Sequence, residues 1–257
     1  MATATVDRSA LESKVKSMYS DVAANPHGDF HFEMGRAMSE RLGYAVEDLD
    51  RIPADAIESF AGVGHFFHLA NLRMSERVVD LGSGSGTDTF VAALKVGPTG
   101  DVVGVDMTDA QLAKATRLAA ARGLQTVSFR KGYIEETGLP EGSFDCVISN
   151  GVINLAADKA RVFQEAARLL RSGGRLAISD IVTEQPLPEN VVCNADLWAA
   201  CIGGAAQQAD YRSVIQAAGF AIERVEDNTE YRFISDRARK ATAKWGVKSV
   251  SILARKS

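Results

Sequence analysis

From Arg77 onward, short β-rich runs alternate with helical stretches, and no other feature constrains the fold of this chain as strongly. Val78–Leu81, Asp101–Asp106, Val127–Phe129, Phe144–Ser149 and Arg175–Ser179 read as strands. Between them, Thr87–Val96 reads as a helix. Thr108 opens another with a capping box to Gln111, and Gly123 closes it. A third carries Val162, Ala166, Leu169 and Leu170 on one face and is expected to stop at Gly173-Gly174. Strands separated by helices of roughly 10–15 residues build βαβ units, hence a parallel sheet with right-handed crossovers. After Asp180 the rhythm breaks over a stretch holding Pro186, Pro188 and Trp198. A helix from Asp210 to Gly219 follows, and the runs Phe220–Val225 and Val250–Leu253 read as an antiparallel hairpin on a sheet edge.

The first seventy residues lack this alternation. Leu11, Val15, Met18 and Tyr19 lie on one face of a helix ending near Asn25-Pro26. Met34, Met38 and Leu42 mark a second helix stopped by Gly43, and Pro53 suits the first turn of a short one holding Ile57. Ser59–His68 is rich in glycine and aromatics and reads as a loop. The expected organisation is a helical cap and lid over residues 1–70 and a ligand-binding α/β domain over 71–257.

Composition narrows the function. With 257 residues, 46% hydrophobic and 24% charged, the chain is one large domain or a domain with an appendage. A formal net charge of −4 without basic runs argues against a nucleic-acid partner and against a polybasic membrane patch. No apolar stretch approaches the ~20 residues that span a bilayer. The opening residues Met1–Asp7 have neither the basic nor the apolar region of a secretory signal. Cys146, Cys193 and Cys201 are too few for a disulfide framework and have no zinc-site spacing, so no metal is expected. A cytoplasmic enzyme acting on a small-molecule acceptor is the expectation.

The turn Asp80-Leu-Gly82-Ser83-Gly84-Ser85-Gly86 lies between a strand and a helix. Glycines there let the backbone turn sharply and approach a ligand, and the helix start offers free N–H groups. Asp106 ends the second strand, where a carboxylate can accept from both hydroxyls of a ribose. A dinucleotide fingerprint would place its third glycine at position 87, which is Thr87. Asp80 would repel a pyrophosphate and attract an ammonium group. Spacing and charge favour S-adenosyl-L-methionine over NAD. An NAD-binding oxidoreductase or a non-catalytic ligand sensor is the remote alternative.

Val78–Asp88, Val103–Thr108, Gly132–Glu135, Ile148–Asn150, Val152–Leu155 and Cys201–Ala205 resemble the arsenite methyltransferases, which are class I S-adenosylmethionine enzymes. The resemblance spans about residues 59 to 220. It implies a Rossmann-like α/β fold with a seven-stranded, mostly parallel sheet, helices on both faces and an antiparallel last strand. It further implies that Asp80 to Gly86, with Gly82, Ser83 and Gly84 among them, hold the methionine part, with S-adenosyl-L-homocysteine as product. Asp106 would hold the ribose, Ile134 and Glu135 would meet the adenine, and Asn150 would lie beside the sulfonium, with Thr87 and Met107 as further cofactor-binding residues. Ile134 also reads as an ordinary packed residue.

The resemblance is incomplete where the family binds trivalent arsenic through cysteine thiolates. Val63 stands at one family cysteine, Gly151 at a second, and Cys201 alone remains. In a helix, Cys193 and Cys201 would be ~12 Å apart, too far to share one arsenic atom. The valine and glycine are expected to leave an apolar hole for a carbon-based acceptor. The alternative is a metalloid or thiol methyltransferase using Cys201, with external thiols such as glutathione completing the coordination. A hydroxyl or amine acceptor needs a general base, for which His65 and His68 are candidates, although both also read as packing or surface residues. Phe66, Phe67 and Trp198 are expected to form an apolar lid.

Overall fold

The computed structural model describes residues 7–192, 198 and 202–257. β1 (Arg77–Leu81), β2 (Asp101–Asp106), β3 (Val127–Lys131), β4 (Phe144–Asn150) and β5 (Leu170–Thr183) pair in parallel. β1 lies between β2 and β4, with Asp80 opposite Gly104 on one side and Ile148 on the other. Val78, Val79, Val102, Val147 and Ile148 are fully buried, the continuous apolar composition of strands covered on both faces. β6 (Ala206–Gln207), β7 (Phe220–Asp227) and β8 (Lys248–Lys256) complete the sheet. Its order is β3-β2-β1-β4-β5-β8-β7, with β6 pairing β5. The strand order reverses direction at β1, which opens a crevice beyond the carboxyl ends of β1, β2 and β4.

The remaining elements cover this sheet. α1 (Arg8–Ala24) is capped by the Asp7 carboxylate, which accepts from the amides of Ser9 and Ala10 at 2.9 and 3.2 Å. α2 (Arg36–Leu42), α3 (Val46–Leu49), α4 (Ala54–Glu58) and α5 (Phe67–Ala70) follow. α6 (Thr87–Val96) and α7 (Asp109–Ala121) lie on the same sheet face as residues 38–70, sharing a core of Met38, Tyr44, Ile57, Phe66, Phe90 and Leu118. The expected cap is therefore continuous with the sheet's own core. The other face is covered by α8 (Lys159–Leu169) and α10 (Gln208–Ala217) through Val162, Phe163, Tyr211 and Ile215. A third cluster joins Leu11 and Val15 of α1 to Val191 of α9 (Glu189–Val192), Trp198, Ile202 and Ala238 of α11 (Asp236–Trp245).

Several expectations are corrected. β7 and β8 do pair antiparallel at the sheet edge, with β7 outermost and β8 inserted between β5 and β7, but α11 connects them in place of a tight turn. α8 ends at Leu169, and Gly173-Gly174 fall within β5, where the register against β4 jumps between Phe144 and Cys146. The Thr108 side chain makes no cap hydrogen bond. Gln111 instead donates to the Tyr19 carbonyl at 2.9 Å and accepts from the Ser85 hydroxyl, tying α1 to the glycine turn. Phe66 and Phe67 are core residues, and Trp198 is buried in the third cluster.

Candidate active site

Beyond the carboxyl ends of β1, β2 and β4 lies a cavity of about 370 Å³, within the size range of small-ligand sites. Gly82, Ser83, Gly84 and Thr87 of the glycine turn line it, together with Asp106, Met107, Ile134 and Glu135. Leu11, Val15 and Tyr19 of α1 contribute to its wall, as do Phe60, Ala61, Val152 and Leu155. Asp80, Asp88 and Asn150 line it as well.

Gly82 and Gly84 sit at φ +79° and +52°, the left-handed region that a glycine reaches without strain. A Cβ on Gly82 would also come within 2.5 Å of Val152. Gly86 does not line the cavity. It caps α6 at φ +95° and so completes the turn. Ser83 Oγ is buried without a protein partner among the described residues. The loop after β4 is anchored from below: Asn154 donates to Asp180 Oδ1 at 2.6 Å, and Lys159 donates to the carbonyls of Asn154 and Ala156. That anchorage fixes Leu155 and Ala156 in the cavity wall.

Three carboxylates line this space, Asp80 and Asp88 buried and Asp106 half-buried. Asp106 accepts from the amides of Gly84 and Thr108 at 2.9 and 2.8 Å, which aims its remaining lone pairs at the cavity. Burial raises its pKa against those two bonds. Asp80 is 2% exposed and accepts from Thr89 Oγ1 at 2.7 Å. Burial first, and the neighbouring Asp88 second, push it well above the ordinary carboxylate range. Burial likewise lifts Asp88 to about 6, opposed by donors from Tyr44 and Asn150. Two adjacent carboxylates whose charges are this costly fit a cationic ligand, which would let both ionise. Asp88 and Tyr44 carry no sequence signal of their own as site residues; only the fold brings them to Asp80.

The histidines lie elsewhere. His65 stacks on His68 with ring centroids 5.4 Å apart and packs edge-on against Tyr44, which separates it from the cavity. Burial and His68 lower its pKa to about 4, so the ring is neutral at physiological pH. His68 pairs with Glu226 on β7 at 2.8 Å. Neither imidazole lines the cavity. The expected lid is likewise replaced: α1, and not Phe66, Phe67 or Trp198, lines the ligand space. Cys193 and Cys201 lie outside the described residues. Cys146 is buried in β4, and burial pushes its thiol up to about 12, the state of an inert small hydrophobe.

Comparison with known proteins decides the family. Residues 72–219 match the family described as Methyltransferase domain. The arsenite methyltransferase of Halobacterium salinarum is 42% identical over 199 residues, covering 77% of this chain and 51% of that protein. That of Aquipseudomonas alcaligenes is 45% identical over 159 residues, covering 59% and 46%. The crystal structure of an arsenic(III) S-adenosylmethionine methyltransferase from Chlamydomonas reinhardtii superposes with a TM-score of 0.67 at 33% identity, covering 87% of this chain and 74% of that one. The chain belongs to the arsenite methyltransferase-like family of S-adenosylmethionine-dependent methyltransferases. It spans about half the length of the curated relatives it matches. The dinucleotide reading falls away.

Within this chain, the two positions where the family resemblance places arsenic-binding thiols meet in space. A Cβ on Gly151 would lie 3.0 Å from Val63 Cγ1, although the two residues are far apart in sequence. Val63 is 1% exposed and packs with the third cluster, so its isopropyl group fills the space that a hole would have occupied. The expected apolar hole is not open at these positions. Among the described residues no group of three His, Cys, Asp or Glu side chains is placed to hold a metal, and no helix is long and apolar enough to cross a membrane.

Proposed function

We propose that this chain is a cytoplasmic enzyme that transfers the methyl group of S-adenosyl-L-methionine to a small-molecule acceptor other than trivalent arsenic. The observation that carries the reading is the buried pair Asp80–Asp88 lining the same cavity as Asp106. The donor set fits the cofactor: carboxylates for its ammonium end, Asp106 for two ribose hydroxyls, the orphan Ser83 hydroxyl for a further polar group, and Met107 and Ile134 for the flat base. When bound, the cofactor supplies an electrophilic methyl on a sulfonium.

The chain's residues supply position and dryness. Leu11 and Val15 of α1, with Phe60, Val152 and Leu155, exclude water from the side facing the acceptor. Holding nucleophile and methyl carbon in line at ~3–3.5 Å can contribute much of the rate of such a displacement. Asn150 acts at the same wall: its Oδ1 accepts from the amides of Val63 and Gly64, and its Nδ2 donates to the Gly64 carbonyl. These bonds fix the loop carrying Ala61 and Gly62.

Val63 packed against Gly151 supports the exclusion of arsenic, since a soft trivalent centre needs several sulfur ligands. The purified chain, supplied with labelled S-adenosylmethionine, arsenite and glutathione, is expected to form no methylarsenical. It is also expected to give no protection to an arsenite-sensitive host. Robust methylarsenical production, lost in Cys201→Ser, would establish the relatives' activity instead.

A further inference from the structure

Gly43 ends α2 in the left-handed conformation at φ +105°, and the Tyr44 amide bonds back to the Ser39 carbonyl at 3.1 Å. This closure turns the Tyr44 side chain inward, where it is 3% exposed. Its ring is held edge-on by Phe60, His65 and Phe67, with centroids 5.2, 4.8 and 6.0 Å away. The hydroxyl therefore has one place to go. It donates to Asp88 Oδ1 at 2.5 Å and accepts from Asn150 Nδ2 at 3.1 Å, while Asn150 also donates to Asp88 Oδ2 at 3.1 Å.

We propose that Tyr44 is a positioning residue for cofactor binding, acting through Asp88 and Asn150 and touching no ligand itself. The role rests on the cofactor reading above. Two carboxylates, Asp80 and Asp88, share one buried corner, and each has few donors. Asp80 has the Thr89 hydroxyl and Asp88 has Tyr44 and Asn150. Tyr44 fixes the Asp88 carboxylate in one orientation and stabilises its ionised form, so that a second negative charge stands ready for the ammonium group. Through Asn150 the same hydroxyl is joined to the Val63–Gly64 turn, linking the cofactor end of the cavity to the acceptor wall.

The surrounding charges leave this role to Tyr44. β1 contributes Asp80 and β2 contributes Asp106, both like charges. His65 behind the tyrosine ring is neutral. On α3, Asp48 is paired with Lys95 at 2.5 Å, and on β3, Lys131 is paired with Asp109 at 2.7 Å. None of these donates to Asp88.

The test is calorimetric titration with S-adenosylhomocysteine between about pH 5 and pH 8, using the unmodified chain, Tyr44→Phe, Asp88→Asn and the double variant. Tyr44→Phe is expected to weaken binding about 10-fold at neutral pH, the usual effect of losing one bond to a charged group. It is also expected to move the acid-side loss of binding to higher pH, because Asp88 loses a donor that favours its charged form. In the Asp88→Asn background, Tyr44→Phe is expected to add little. A tyrosine needed only for packing would lower the melting temperature and leave the pH profile in place. Superimposable profiles, or full additivity with Asp88→Asn, would overturn the role. No binding by the unmodified chain at any pH would instead remove the cofactor reading, and this role with it.

Discussion

Asp80→Asn is expected to reduce S-adenosylhomocysteine affinity by about 100-fold or more while making the ligand-free protein more stable. The first effect follows from removing one partner of a buried charge pair, which generally costs about 2–5 kcal/mol. The second has the opposite sign for the same reason. Burial and Asp88 raise the folded-state pKa of Asp80 far above its unfolded value. As pH climbs from the unfolded value, the unfolded chain releases its proton first, and stability falls until the folded pKa is passed. At neutral pH the ligand-free protein therefore carries a cost from an ionisable group that asparagine does not have. Asparagine can still accept from Thr89, so the local geometry is retained. A melting temperature that rises while binding collapses would mark Asp80 as a functional group held against stability. Affinity within a few-fold of the unmodified chain would show that the ammonium site lies elsewhere.

Gly82→Ala is expected to destabilise the chain by about 2–4 kcal/mol, combining a backbone at positive φ with an overpacked contact. For a chain of this size that lowers the melting temperature by roughly 5–15 °C. The backbone term comes from φ +79°, and the packing term from a Cβ placed 2.5 Å from both Val152 methyl groups. The two terms separate by experiment. Adding Val152→Ala removes those methyls and is expected to restore part of the stability, leaving the φ strain. Cofactor affinity is expected to stay low in the double variant, because the displaced turn carries the Gly84 amide that orients Asp106. Gly82→Ala melting with the unmodified chain would contradict this geometry.

The parts legible in sequence are those fixed by local pattern. Thr87–Val96 and Asp101–Asp106 lie where the periodicity and the flanking glycines put them, because a buried parallel strand and its crossover helix have unmistakable composition. The glycine turn and Asp106 were readable for the same reason. What escaped depends on contacts between distant segments. α11 buries little more than Ala238 and Ala241, too faint a stripe to announce a helix, and β6 is two residues long. Gln111 satisfies the local rule for a capping box, yet its amide reaches Tyr19 and Ser85 across the fold. His65 and His68 attract attention as reactive residues, but Phe66 and Phe67 pack into the core while His65 packs against Tyr44 and His68 pairs with Glu226 on β7, and neither imidazole lines the cavity. Asp88 sits two residues beyond the glycine turn, and only the inward closure of α2 supplies the tyrosine that makes it part of the site.

The central claim is that the acidic turn after β1 receives an ammonium-bearing cofactor and no diphosphate. The most direct measurement is parallel calorimetry of the unmodified chain with S-adenosylhomocysteine and with NAD at neutral pH. Saturable binding of S-adenosylhomocysteine at one site, with no heat from NAD, is the expected result; binding of NAD with S-adenosylhomocysteine inert would contradict it.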